Sequence, residues 1–320
     1  MYRHQLPAAV FLVLLSCGAH AQAWPTKPVR FILPVAAGSS SDVIARIVGQ
    51  KLSERLGQQV ILDNQPGAGG NVGIPAAARA APDGYTMVLL SSAQAISPSI
   101  YRKLPYDLAR DFVPVTQLAA GLYMLMVHPS VPARSVKELV TVARARPGQL
   151  AFGSAGTGTG THLTGELFKA MAGVNLLHVP YRGMGPAITE LLGGQISMAF
   201  LGLPSGIEHS KTGRLRALAV STSTRSTAVP ELPTLVEAGV PGFHVTTWQG
   251  LAFPAATPRD VVAKLHAETV RALQAPDLRE RFRALGVDVV GDTPEQFSAY
   301  LKTEIAQWAR AVREAGMTPE

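Results

Sequence analysis

Short apolar runs alternate along the chain with longer segments in which apolar residues recur every three or four positions. Val29–Leu33 (VRFIL) reads as a strand ending at Pro34, and Ile44, Val48, Leu52 and Leu56 then stripe one face of a helix closed by Gly57. Residues 60–62 predict the next strand and residues 85–90 a third, entered through the turn Pro82-Asp83-Gly84. Ser135 and Glu138 form a capping box for a helix that stops before Pro147-Gly148. Strands are predicted at 150–153, 176–179, 196–200 and 215–220, with helices at 161–172 and 186–192. Thr257-Pro258 and Thr293-Pro294 each place a capping residue before proline at a first helical position. Phe297, Leu301, Ile305, Trp308 and Val312 stripe a final helix. This strand–helix–strand rhythm predicts an α/β fold of mainly parallel sheets flanked by helices.

The pattern at the start of the chain is different. After Arg3, residues 8–15 (AAVFLVLL) are unbroken apolar, and Ala19-His20-Ala21 and Ala21-Gln22-Ala23 supply small-x-small sites. That layout is a secretory signal peptide over residues 1–23, too short to span a bilayer, which takes about 20 apolar residues. The protein is therefore expected to be exported. Cys17 is the only cysteine, so removing the signal leaves no thiol, disulfide or thiolate metal site. Leu14-Leu15-Ser16-Cys17 resembles a lipoprotein box and gives a lipid anchor as the alternative, but the downstream sites are better formed.

Size sets the organisation of the rest. A chain of 320 residues exceeds the roughly 250 residues at which single cores stop growing, yet no linker divides it. Two long extended segments, 117–127 and 246–253, suit a chain that crosses between two lobes and later returns. One lobe is then expected to combine residues 24–122 and 248–320, the other to hold 123–247, with a ligand cleft between them that closes about the crossings. The formal charge of +7 falls to +6 when Arg3 is removed (7 − 1), and no basic block is interleaved with aromatics. That argues against nucleic-acid binding and leaves at most a field that steers anions.

Two strand-to-helix loops carry the candidate chemistry. The first is Gly38-Ser39-Ser40-Ser41-Asp42; the second runs from Ser154 through Gly156, Thr157, Gly158 and Thr159 to His162. Each combines small residues with hydroxyls just before a helix, where backbone N–H groups lack intrahelical partners and the dipole is positive. Facing each other across a cleft, the two would hold the carboxylates of a small anion. Ordinary N-capping explains either loop alone equally well. Asp42, in a first turn, reads as a helix-terminus carboxylate rather than a catalytic base.

Enzyme signatures are weak. Gly156-x-Gly158-x-Gly160 is neither a dinucleotide fingerprint nor a P-loop, and no Gly-x-Ser-x-Gly elbow occurs, so no cofactor is implied. His128, His162, His178, His209 and His244 are scattered with no pair at i, i+4, so no metal site is expected. The combination favours a transport receptor over an enzyme.

Longer strings carry a resemblance. Residues 64–73 (NQPGAGGNVG), 80–85 (AAPDGY), 101–107 (YRKLPYD), 178–183 (HVPYRG), 192–195 (LGGQ) and 213–220 (GRLRALAV) resemble the tripartite tricarboxylate transporter receptors, the Bug family of periplasmic solute-binding proteins. The resemblance runs from about Trp24 to the last helix. It implies a two-lobe Venus-flytrap fold in the periplasm of a Gram-negative bacterium. The protein would act as a monomer that delivers a small carboxylate to integral-membrane permease subunits, without catalysis. Carried over by position, the first loop is the family's ligand loop and keeps Pro34, Gly38 and Asp42, with Val35 in place of an aromatic and Ser39 in place of a glycine. Leu201 stands where relatives often have an aspartate, which removes a partner for a ligand ammonium. The alternative is an exported hydrolase or isomerase using the same cleft, for which His162 is the one loop histidine.

Overall fold

The computed structural model describes residues 24–314; the expected signal segment 1–23, including Cys17, lies outside the described residues. In chain order, β1 (Val29–Leu33), α1 (Ser40–Leu56), β2 (Val60–Asn64), α2 (Gly73–Ala78), β3 (Thr86–Ser91), α3 (Ser92–Ile100), α4 (Leu108–Asp111) and β4 (Phe112–Gly121) open the fold. Then come β5 (Tyr123–Val127), α5 (Val136–Ala145), β6 (Ala151–Ser154), α6 (Gly160–Ala172), β7 (Leu177–Pro180), α7 (Met184–Leu192), β8 (Met198–Gly202), α8 (Leu203–Lys211) and β9 (Arg216–Val220). The chain closes with β10 (Thr247–Pro254), α9 (Arg259–Leu273), α10 (Pro276–Ala284), β11 (Asp288–Val289) and α11 (Pro294–Glu314).

Two sheets form, ordered β11-β4-β10-β3-β1-β2 and β7-β6-β8-β5-β9. Both are mixed, where the sequence rhythm predicts mainly parallel ones. β1 pairs in parallel with β2 and β3, and β6 with β7 and β8, while β10 and β5 pair antiparallel with their neighbours. The reason lies in the route of the chain. Strands that feed helices run toward the space between the sheets and end there, as in other open α/β sheets. β5 and β10 start at that space, just after the chain has crossed, so they must run the other way.

Each sheet has a buried face. Phe31, Leu33, Met87, Leu89 and Val48 belong to one cluster under the first sheet; Met124, Met126, Leu201 and Leu215 belong to one beside the second. A third cluster joins the lobes, linking Ile32 and Trp248 to Phe152, Phe168 and Phe200. The final helix seals this join much as its stripe predicts: Phe297, Leu301, Trp308 and Val312 are buried, with Ile305 packed alongside. Buried Glu304 accepts hydrogen bonds from Trp248 Nε1 at 2.9 Å and Trp308 Nε1 at 3.3 Å, tying α11 to β10. At the start of α11 Thr293 and Gln296 cap each other reciprocally. Thr257 does not cap α9 as expected. Its hydroxyl turns back to Pro254 O at 2.8 Å, and Pro258 takes the capping position.

Candidate functional site

Five strand-to-helix junctions meet at one interlobe cleft of about 770 Å³. From the first sheet come the starts of α1 (Ser39, Ser40, Ser41) and α3 (Ser91, Ser92). From the second come the starts of α6 (Thr159, Gly160), α7 (Gly183, Met184) and α8 (Gly202, Leu203). Each helix start presents N–H groups with no intrahelical acceptor and the positive end of a dipole. No acidic residue lines the cleft among the described residues, and Arg182 is the one charged residue among those that do. Burial pushes the phenol of Tyr123, hydrogen-bonded to Ser92, up to about 12, so this cleft residue stays a neutral hydroxyl.

The lobes touch across the cleft through glycines, in two groups. At one end Gly202 faces Ser40 Oγ, which would lie 3.1 Å from an added Cβ, and Gly183 faces Ala36 at 3.4 Å. At the other end Gly160 faces Ser92 at 3.1 Å and Gly69 faces the carbonyls of Gly158 and Thr157 at 3.4 and 3.5 Å. Tyr101 adds a hydrogen bond to Thr157 O at 3.3 Å. Gly202 has ordinary extended backbone (φ −57, ψ 146) and its nearest foreign atoms belong to Ser40. Gly202→Val is therefore expected to wedge the lobes apart at little cost to folding. Since apparent affinity scales with the population of the competent state, binding should weaken about tenfold or more. The thermal midpoint should stay within about 2 °C. Scattering should show a larger radius of gyration than the parent at saturating ligand; equal radii and equal affinity would contradict the wedge.

The residues singled out in the sequence divide into wall and support. Gly38, Ser39, Ser40, Ser41, Gly156, Thr157 and Thr159 line the cleft. Asp42, Ser154, Gly158 and His162 lie behind that wall and brace it. Asp42 is 1% exposed, with its carboxylate turned back into the loop. It accepts from Gly38 N–H at 2.8 Å, Arg46 Nε at 2.8 Å and Nη2 at 3.1 Å, and Asn64 Nδ2 at 2.8 Å. Burial alone would raise its pKa, but the bonds from Arg46, Asn64 and Gly38 outweigh that and hold it below the usual range. Asn64 also reaches Val35 O at 3.1 Å, so a strand end pins the first loop.

The second loop is braced in the same way. Ser154 Oγ accepts from Gly156 N–H at 3.1 Å and pairs with His178 Nε2 at 2.7 Å. Thr159 Oγ1 donates to Gly156 O at 2.7 Å, and Gly158 N–H donates to His162 Nδ1 at 3.2 Å. Gly38 and Gly156 sit at φ +78 and +123, so a side chain at either strains the backbone whatever space surrounds it.

β7 brings His178 against His162, an association that the linear spacing of the histidines does not reveal. The two rings stack at 4.0 Å and 26°, and Phe152 stacks on the far side of His178 at 4.8 Å. With Glu166 they form a group of metal-ligand type. Stacked imidazoles aim their in-plane lone pairs side by side rather than at a common point, and Lys169 Nζ occupies both Glu166 oxygens at 2.9 and 2.8 Å. The arrangement is a brace, not a cation cage.

Burial, then His162 and Lys169, depress His178 from its ordinary 6.5 to about 3. A histidine kept neutral in the fold stabilises fully above pH 6.5, and that contribution is lost as pH falls from 6.5 toward 3. Thermal midpoints are expected to decline from pH 6.5 to 4, and the slope should shrink in His178→Phe. Equal slopes in the two proteins would contradict this.

Several wall residues were not legible as site residues: Ser91 and Ser92, the turn 67–70, Arg182 with Gly183, the 202–205 segment, and Gln249. Gln249, on the returning strand, donates to Ser41 Oγ at 3.2 Å and links the crossing to the first loop.

A family model described as "Tripartite tricarboxylate transporter family receptor" matches residues 44–317. BugT of Bordetella pertussis (strain Tohama I) is 37% identical over 298 residues, which cover 92% of this chain and 91% of BugT. The solved structure of R. palustris Rpa4515 with adipate is similar at a TM-score of 0.89 and 34% identity, covering 93% of this chain and all of that one (100%). MatC from Rhodopseudomonas palustris with bound malate gives 0.86 and 30%, covering 90% of this chain and 100% of MatC.

Proposed function

The chain belongs to the tripartite tricarboxylate transporter receptor family, and we propose that it captures a small carboxylate in the periplasm and passes it, unchanged, to integral-membrane permease subunits. The ligand class is a di-, tri- or hydroxycarboxylate or an aromatic acid, and the receptor works as a monomer. One observation carries this reading: five helix N-termini from both lobes converge on a cleft that no acidic side chain lines among the described residues. Such a site offers N–H donors and positive dipole ends to an anion and opposes nothing to its charge. The carboxylates named with Rpa4515 and MatC, adipate and malate, support the same class.

The Ser154–His178 pair is the observation that would favour a hydrolase. Ser154 is fully buried and off the cleft wall, and His178 is depressed to about 3, far from the near-neutral value a general base needs. The pair serves the loop's shape instead.

Calorimetric titration with C4 to C6 dicarboxylates, citrate and benzoate tests the proposal. At least one acid is expected to bind with a dissociation constant on the order of micromolar or below and to be recovered unchanged by mass spectrometry. No binding across the set, or conversion of the acid, would overturn it.

A further inference from the structure

Arg182 has no role in the fold that the contacts reveal. It is exposed, it lines the cleft, and its guanidinium has neither a hydrogen bond nor an ion pair to another described residue. Other arginines, such as Arg46 with Asp42 and Arg55 with Glu268, are each tied to an acid of the protein. Arg182 instead stands alone on a wall with no acid among the described residues.

Its place along the cleft matters as much as its charge. Arg182 precedes Gly183, the capping residue of α7, and Gly183 lies against Ala36 of the first loop. It therefore belongs to the end of the cleft where α1, α7 and α8 start. The opposite end, where α3 and α6 start, has backbone N–H groups and the hydroxyls of Ser91, Ser92, Thr159 and Tyr123, but no charged side chain. The two ends are chemically unequal: one offers dipoles alone, the other dipoles and a full positive charge. A guanidinium binds a planar carboxylate in a directed, charge-assisted way that a dipole end does not match.

We propose that Arg182 pairs with a second acidic group of the bound anion at the α1/α7/α8 end, so that the receptor selects dianionic over monoanionic acids. This rests on the carboxylate reading above. A first carboxylate then sits at the α3/α6 end, and the spacing of the two acid groups is set by the length of the cleft. Closure brings Ala36 and Gly183 together and shields the pair from water, which strengthens it. A ligand with one acid group leaves the guanidinium solvated and gains nothing from that closure.

The test uses the protein without its signal segment and two matched series: linear dicarboxylates from succinate to suberate, and the monoamide of each. Calorimetry should show the best dicarboxylate binding about tenfold or more tighter than its monoamide. In Arg182→Gln the ratio should fall to about threefold or less, with the thermal midpoint unchanged, and Arg182→Lys should restore part of it. Raising salt should weaken the dicarboxylate more in the parent than in Arg182→Gln. A ratio that survives in Arg182→Gln overturns the assignment to Arg182. Monoamides binding as tightly as dicarboxylates overturn the selection for two charges while leaving the carboxylate reading intact. Absence of binding by both series overturns the carboxylate reading, and this inference with it.

Discussion

Asp42→Ala is expected to cost about 2–3 kcal/mol of stability and to weaken ligand binding by about tenfold or more. Asp42 is 1% exposed and its carboxylate joins Gly38, Arg46 and Asn64, so its removal leaves the Gly38 N–H without an acceptor and leaves the Asn64 bond to Val35 O as the tie between the first loop and the strand end. Arg46→Ala should cost less, because the Arg46 side chain is half exposed and the bonds from Gly38 and Asn64 remain. At about 2–4 °C per kcal/mol for a protein of this size class, the Asp42→Ala midpoint should fall by roughly 5–10 °C. Thermal unfolding and titration on the same sample measure both. An unchanged affinity beside a lowered midpoint would mean the loop keeps its shape without Asp42.

The second large effect concerns ligand charge. Aspartate and glutamate are expected to bind far more weakly than the dicarboxylates of the same length. An α-ammonium closed into this cleft would meet five positive helix ends and Arg182, and no carboxylate among the wall residues. Losing its water without a charged partner costs roughly several kcal/mol. Leu201, an apolar residue of the cleft wall, supplies no compensation. Asp42 does not replace the missing acid, since its oxygens are all engaged behind the loop. A competition titration of succinate and glutarate against aspartate and glutamate decides the matter. Tighter binding of the amino acids, lost in Asp42→Asn, would show that the aspartate turns outward.

What the sequence discloses and what it conceals have physical causes. The α1 stripe, the Ser135 cap and the α11 stripe are strong periodic or capping signals, and the structure contains those elements. The two loops are readable as helix starts because small residues and hydroxyls directly precede helical segments. α3 and α8 are hidden because Pro98 lies inside one and Gly206 inside the other, which blunts their helical signal. With them the sequence hides two of the helix ends that make the site. The division of loop residues into wall and support is also invisible locally: Asp42 turns inward because Asn64 and Arg46 meet it there, and His162 because β7 delivers His178. Both are consequences of packing between distant segments.

The central claim is that helix ends from both lobes close on the two ends of one carboxylate ligand. A crystal structure of the protein grown with adipate tests it most directly. The acid is expected in the interlobe cleft, one carboxylate on the N–H groups at the starts of α3 and α6 and the other at the starts of α1 and α7 beside Arg182. Adipate bound outside the cleft, or within it with both carboxylates turned away from the helix ends, would contradict it.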